Sequence, residues 1–404
     1  MATWPSIAEA RSLKSHLSTT TGPWRLPKPV LAYHGDLNVM QKNWKPSACN
    51  TQMSRGAGIE LRIHSFNTSQ SRYLAWPGDT LESKEETCVR VRAHGLTYQP
   101  STDWSDWVTV ETGVIQPKDW QRALSIASRQ NLGKGKPKSS LYLRKNFDLN
   151  TKLTHIQKAR LYITALGLYG AEINGERVED HVLAPGFQSF KHLHVYDTYD
   201  ATEPVSRGRN AIGILVSQGW YAGRLFGHIE KRDIRNLYGF RIGAMCLLKV
   251  TLSDRTNLWP AVRVTDLQRR DLRLRKESVM TGWSTASFYN GDWLSVEELP
   301  PLTAALVPSD GPPVRKLKEL QPKEIFQSVS GKVIVDFGHN FAGCARITVS
   351  GPSGTDIILR NAEVLENGEI ETKPPRTTDV PARKFENLDL HFTASAMLRL
   401  TTGP

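Results

Sequence analysis

General acid–base chemistry needs carboxylates or imidazoles held on opposite sides of a reacting bond, so the acidic and histidine clusters come first. Glu363, Glu366 and Glu369 straddle Asn367-Gly368. Three carboxylates on one predicted hairpin would not face each other across a substrate, and they read as solvated turn residues. Asp336, in Val335-Asp336-Phe337-Gly338-His339-Asn340, reads as a residue that fixes a turn. His192, His194 and His228 show neither HExxH nor any other metal-ligand spacing. There is no GxSxG elbow, so a serine hydrolase has no support. The piece NLGKGKPKSS, residues 131–140, lacks both the GxxxxGK[ST] pattern and a strand-GxGxxG-helix setting, which discounts nucleotide binding. Trp220 and Tyr221, bracketed by Gly219 and Gly223, suit a loop that presents two rings. The chain holds 11 tryptophans, and such rings serve as platforms for sugar faces or as filling for a β-sandwich core.

The elements that would position these residues are strands. Ala159, Leu161, Ile163 and Ala165 alternate with Arg160, Tyr162 and Thr164, the period of a half-buried strand. Ala171 and Ile173 lead into Asn174-Gly175, a tight-hairpin signal because both residues tolerate positive φ. Ala211 to Val216 is a second apolar strand. Further strands are expected at Gly56 to Ile63, Glu86 to Ala93, Val108 to Thr112, Met245 to Leu252, Lys332 to Val335, Ala345 to Val349 and Thr355 to Arg360. Lys42 to Gly58 is expected as loop or disorder. Asn367-Gly368 is another hairpin signal. The fold class is therefore all-β, with antiparallel β-sandwiches.

A chain of 404 residues is long for one core, so two or three domains are expected. The net charge of +12 raises the question of nucleic acid. Much of the excess lies in Arg122 to Lys145 and Arg269 to Lys276, with no accompanying nucleic-acid motif, so a solvated charged face is the reading and no nucleic-acid partner is expected. The 4 cysteines, Cys49, Cys88, Cys246 and Cys344, are widely scattered and read as free thiols. The N-terminus has no apolar signal-peptide core, and no run is long enough to span a membrane. A cytoplasmic or undetermined location, with no membrane partner, is expected.

Two long blocks carry a resemblance. The run LYITALGLYGAEINGERVEDHVLAPGF, followed by GWYAGRL, resembles the amino-terminal β-domain of the multidomain α-L-rhamnosidases, which release terminal α-L-rhamnose. The block VIVDFGHNFAGCARITVSGPSGTDIILRNAEVLENGEI, Val333 to Ile370, resembles the next β-domain of that family. There His339 stands where glutamine is common and Cys344 where tryptophan is common. The phrases CVRVRAHG and DWSDWVTVETG are similar to the closing half of the family's opening fibronectin-III-like domain. The resemblance implies tandem sandwiches: fibronectin-III-like, jelly-roll-like, and a second, concanavalin-like β-domain. The expected boundaries are a disordered or loosely ordered 1–30, sandwich 31–114, basic linker 115–140, sandwich 141–299, linker 300–313, and β-domain 314–404, in which the resemblance is truncated or frayed after 378.

In that family the catalytic carboxylates lie on an (α/α)₆ barrel after the β-domains. The 404 residues hold no run of amphipathic helices that would build one, so no catalytic residue is assigned and the chain alone is expected to be inactive. The resemblance further implies a calcium-dependent rhamnose-binding module in the domain matched by residues 141–293. Calcium takes carboxylate and carbonyl oxygens and can bridge to vicinal sugar hydroxyls. Glu179 and Asp180 would supply the metal's oxygens; Asn174, Asp180, Trp220 and Tyr221 would hold the sugar. His181 is a poor calcium ligand in that company. No other cofactor is required. The partners are rhamnose-containing glycosides or polysaccharides. The competing function is a freestanding carbohydrate-binding or protein-interaction β-module.

Overall fold

A computed structural model describes residues 30–31, 46–55, 61–67, 74–76, 79–95, 101–120, 123–129, 133–134, 138, 140–149, 155–229, 232–254, 257–258, 265–267, 281–289, 291, 293–339, 341, 343–349, 357–362, 365–370, 377–378, 388–394 and 397–402. The described elements are almost all strands, paired antiparallel with one exception. The chain divides into two compact units, Met1–Val314 and Arg315–Pro404.

The first unit opens with a four-stranded sheet in the order Leu61–Phe66, Pro46–Arg55, Glu86–Gly95, Val108–Glu111. Its inner face buries Met53, Val89 and Val110 against Trp76 and Leu81. The ten-residue strand Pro46–Arg55 overturns the expected loop at Lys42 to Gly58. Its pattern is weak because the strand is central, paired on one side with Leu61–Phe66 and on the other with Glu86–Gly95.

The middle of this unit is a sandwich. One sheet runs Glu176–Arg177, Leu168–Ile173, Gly208–Ser217, Leu141–Leu149, Thr265–Leu267. The other is built on Gly243–Leu252, Ile156–Leu166 and Leu193–Asp200. Leu141, Leu143, Ile173, Ile212 and Ile214 from the first meet Leu161, Ile163, Leu248 and Val250 from the second in one core. Two expected linkers contribute strands to the second sheet. Ile126–Ser128 pairs with Gly243–Leu252, and Ala305–Pro308 pairs in parallel with Leu193–Asp200. Both are short and apolar, and proline and basic neighbours hide them in the sequence.

The outer faces of this sandwich are also covered, which explains strands buried on both sides. On the second sheet, Tyr162, Tyr196, Met245 and Leu247 pack against Val114 and Trp120. The Tyr196 hydroxyl donates to the Val114 carbonyl at 3.0 Å. Lys158 pairs with Glu111 at 2.8 Å and also with Glu86; Arg160 pairs with Glu111 at 3.1 Å and Asp200 at 2.8 Å. On the first sheet, Glu172, Gly213 and Arg144 lie in one cross-strand row. Trp283 to Thr285 lie over that row. The guanidinium of Arg144, fully buried, donates to the carbonyls of Trp283 and Thr285, and Ser284 donates to Glu172 at 2.5 Å.

The second unit has a five-stranded sheet: Glu324–Gln327, Val333–Asp336, Met397–Thr402, Ile357–Ala362, Thr377–Thr378. Gly343–Val349 pairs separately with Leu388–Ala394. Met397–Thr402 is a central strand of this sheet, bonded on both sides. The two Asn-Gly hairpins form as expected, with φ of 52° and 90° at Asn174 and Gly175, and 50° and 77° at Asn367 and Gly368. The basic run at 269–276 lies outside the described residues.

Candidate functional site

The candidate site grows from a register conflict at the edge of Leu168–Ile173. After the hairpin, the Val178 amide donates to the Ala171 carbonyl at 3.1 Å, and farther along Tyr169 donates to the Ala184 carbonyl at 2.8 Å. Only Gly170 separates Tyr169 from Ala171, whereas residues 179–183 separate Val178 from Ala184, so that segment must bulge off the sheet edge. Glu179, Asp180 and His181 ride on the bulge. One potential ligand atom from each lies within 4.8 Å of the others. Arg177 braces it by donating to the His181 carbonyl at 3.0 Å.

Beneath the bulge is a hydrogen-bonded chain that sequence reading had missed. Nδ1 of His181 lies 3.1 Å from the Tyr199 hydroxyl, which is 2.9 Å from the Tyr169 hydroxyl. Tyr169 in turn donates to Asp197 at 2.6 Å. Tyr169, Asp197 and Tyr199 are all buried between the sheets. Burial pushes the Asp197 carboxyl above the usual range, opposed by the Tyr169 hydrogen bond and by His181. Burial likewise pushes the Tyr169 hydroxyl well up. The legible signal was Asp197 and Tyr199, two apart on one strand and therefore on its same, core-facing side.

Past Ala184 the chain turns through Gly186, at φ 89°, and brings aromatics together. Phe187 meets Trp220 edge-on at 6.0 Å, and Phe190 meets Tyr221 at 5.4 Å and Tyr238 at 5.0 Å. Phe187 is 60% exposed, Trp220 and Tyr221 half-buried. The expected ring-presenting loop is instead one helical turn, Gly219–Ala222, closed by the Gly223 amide on the Gly219 carbonyl at 3.0 Å. A tight turn presents the two rings in different directions, Trp220 to Phe187 and Tyr221 inward to Phe190 and His194. His194 is buried there, and desolvation lowers its pKa.

Asn174 has a different fate. Its amide donates to the Pro204 carbonyl and to Asn210, both at 2.8 Å, and its side-chain oxygen accepts from the Ala211 amide at 2.9 Å. It is spent on holding the hairpin to the neighbouring strand. Among the acidic cluster of the second unit, Glu369 accepts from the Ser330 amide at 2.7 Å, and bonds from Ser330 hold its pKa down at about 2. Glu363 lies outside the described residues. Glu179, Asp180 and His181 are the one cluster of metal-ligating side chains among the described residues.

Residues 154–266 match the α-L-rhamnosidase N-terminal domain family, residues 326–383 the bacterial α-L-rhamnosidase concanavalin-like domain, and residues 25–116 the Rha78A-like N-terminal immunoglobulin domain. An α-L-rhamnosidase of Streptomyces avermitilis is 34% identical over 68% of this chain and 26% of its own length. The crystal structure of an α-L-rhamnosidase from Aspergillus terreus superposes with a TM-score of 0.80 at 34% identity, over 94% of this chain and 45% of that one. The structure of a Streptomyces avermitilis α-L-rhamnosidase complexed with L-rhamnose shares the fold, with a TM-score of 0.72 at 19% identity over 93% of this chain and 53% of that one. This chain thus spans about a quarter to a half of the length of these relatives. Among the described residues, no helix is long and apolar enough to cross a membrane.

Proposed function

Because this chain belongs to the α-L-rhamnosidase family and carries its amino-terminal domains, we propose that it is the substrate-holding part of such an enzyme, binding terminal rhamnose at the bulge 179–183. The observation that carries the reading is the meeting of two surface carboxylates, Glu179 and Asp180, with His181 on the bulge; the same connecting segment continues to Phe187, whose ring meets Trp220. Glu179 and Asp180 supply hard oxygens of the type calcium takes. Nδ1 of His181 already faces Tyr199, so its part is to orient the bulge, not to add an oxygen. A calcium ion held there would have coordination positions left for vicinal hydroxyls of a sugar, while Trp220 offers a ring to its C–H face. Asn174 is removed from the sugar-binding set by its inward bonds.

Hydrolysis itself is not assigned to these residues. It needs a proton donor and a second carboxylate across the glycosidic bond. The hairpin carboxylates Glu366 and Glu369 share one short turn, and Glu369 is engaged by Ser330.

Calorimetry of the chain with L-rhamnose, with calcium and then with a chelator, tests the binding. Weak, calcium-dependent heat that Asp180→Ala abolishes is expected. No heat on folded protein in either condition removes rhamnose binding, and unchanged affinity in Asp180→Ala removes the residue assignment. A chromogenic α-L-rhamnoside should turn over at the buffer rate only.

A further inference from the structure

The surface of the amino-terminal sheet that faces away from its core carries an ordered stack. Arg90 and Arg92 sit two apart on Glu86–Gly95, hence on the same face. Residues 101–107 run beside that strand: the amides of Thr102 and Ser105 donate to the carbonyls of Ala93 and Val91 at 2.9 and 2.8 Å. The Thr102 and Ser105 hydroxyls accept from the amides of the same two residues at 3.0 and 3.1 Å. This fixed backbone sets Trp104 and Trp107 among the guanidinium groups. Arg90 lies 5.0 Å from the centre of the Trp104 ring and 4.6 Å from that of Trp107, and Arg92 lies 4.8 Å from Trp104.

A guanidinium stacked on indoles has its faces occupied and its planar N–H edge held in one orientation. Arg90 uses Nε on Gln52 at 2.8 Å, and Nε of Arg92 is buried without a partner. Neither guanidinium pairs with a carboxylate among the described residues; the exposed Asp103 and Asp106 on the neighbouring loop do not close on them. Elsewhere in this unit the edge of Arg241 is taken by both oxygens of Glu297, at 2.9 and 2.7 Å. Beside the stack, Trp107 is 40% exposed and Ile63 is 56% exposed.

We propose that this face, with Arg90, Arg92 and Trp107 at its centre, is a second binding site, for a carboxylate-bearing sugar of an acidic polysaccharide. The held guanidinium edges match a planar carboxylate bidentately. The exposed indole supplies the platform that a pyranose C–H face needs and a free carboxylate does not. The site is built from a different sheet than the bulge at 179–183 and does not depend on it.

The test is calorimetry of the full chain with a galacturonate trisaccharide, its methyl ester, and a tri-glutamate peptide, at low and high salt. The acid sugar should bind at least about tenfold tighter than the ester, the difference a charged hydrogen-bonded pair supplies, and weaken with salt. Arg92→Gln, which touches one ring only, and Arg90→Lys should each lose about that factor while the near-ultraviolet circular dichroism stays native. Asp180→Ala should bind the acid sugar as the parent does. Equal affinity for acid and ester, absence of heat with both, or undiminished binding in Arg92→Gln overturns the proposal. So does peptide binding as tight as the sugar, which would make the face an acidic-protein contact.

Discussion

Gly213→Ala should be among the most damaging single-methyl changes in the chain. Gly213 lies between Glu172 and Arg144 in the outer row of its sheet, and the ring of Trp283 fills the space its missing side chain leaves. An added Cβ would stand 2.6 Å from Cη2 and Cζ3 of that ring and 2.8 Å from the Ser284 Cβ. Ordinary carbon contacts begin near 3.5 Å, so the ring must withdraw by about 1 Å. Withdrawal is opposed on three sides. Arg144 donates to the Trp283 carbonyl at 2.7 Å, Ser284 to Glu172 at 2.5 Å, and Tyr142 abuts the ring at 4.9 Å. Overpacking of this kind costs about 1–3 kcal/mol, and stretching one of those hydrogen bonds adds about 1. At roughly 2–4 °C per kcal/mol for a unit this large, the melting temperature should fall by about 4–16 °C. Thermal unfolding followed by tryptophan fluorescence measures it. The decisive comparison is Gly213→Ala in a Trp283→Ala background, where the penalty should fall to less than half. A full penalty there, or a melting temperature within about 1 °C of the parent in the single variant, would refute the packing argument.

Glu111→Gln should cost about 1–3 kcal/mol in urea unfolding, because Arg160, 10% exposed at its side chain, keeps only the exposed Asp200 as an ionic partner; a change under about 0.3 kcal/mol would mean solvent already serves it. Asn174→Ala should lose about 2–3 kcal/mol, since two carbonyl or amide acceptors and the Ala211 amide lose their partner and the left-handed φ of 52° is left to alanine; a rhamnose affinity that falls while stability holds would contradict its inward role. Asp197 gives a pH signature of known sign. Its folded-state pKa is raised by burial, so the stability it contributes is fully present below the ordinary carboxyl value of about 3.9 and is lost as pH rises through the folded pKa. Asp197→Asn, with Tyr169, Tyr199 and His181 still in place around it, should therefore gain on the parent as pH rises from about 4. A stability difference that stays constant from about pH 4 to 7 would show that Asp197 is not the titrating group.

What the sequence made legible is what a two-residue period and a turn signal can encode. The alternation from Ala159 to Ala165 and the two Asn-Gly turns each specify local geometry and each forms, but the strand is buried on both faces where half-burial was expected, because Val114 and Trp120 cover its outer side. Pro46–Arg55 was missed because a central strand with a polar outer face needs its neighbours to look like a strand. Ile126–Ser128 and Ala305–Pro308 were missed because three or four residues carry too little pattern, and their stability comes from the long strands they join.

The candidate site separates the same way. Glu179 and Asp180 could be picked out by residue type, but whether they meet depends on a length mismatch: the segment after the hairpin returns to the sheet edge at Tyr169, and the surplus residues are forced outward. That mismatch cannot be read before the partner strand is known. Asn174 shows the converse. Its residue type suited a sugar amide contact, yet the same left-handed turn that identified it also aims its side chain at Asn210 and the Ala211 amide. A buried backbone amide left without a partner costs more than a surface contact with a weakly held sugar returns, so the hairpin takes the side chain. The residues left to meet a ligand are those on the bulge and beyond it, where the backbone is already bonded to the sheet edge at Val178 and Ala184.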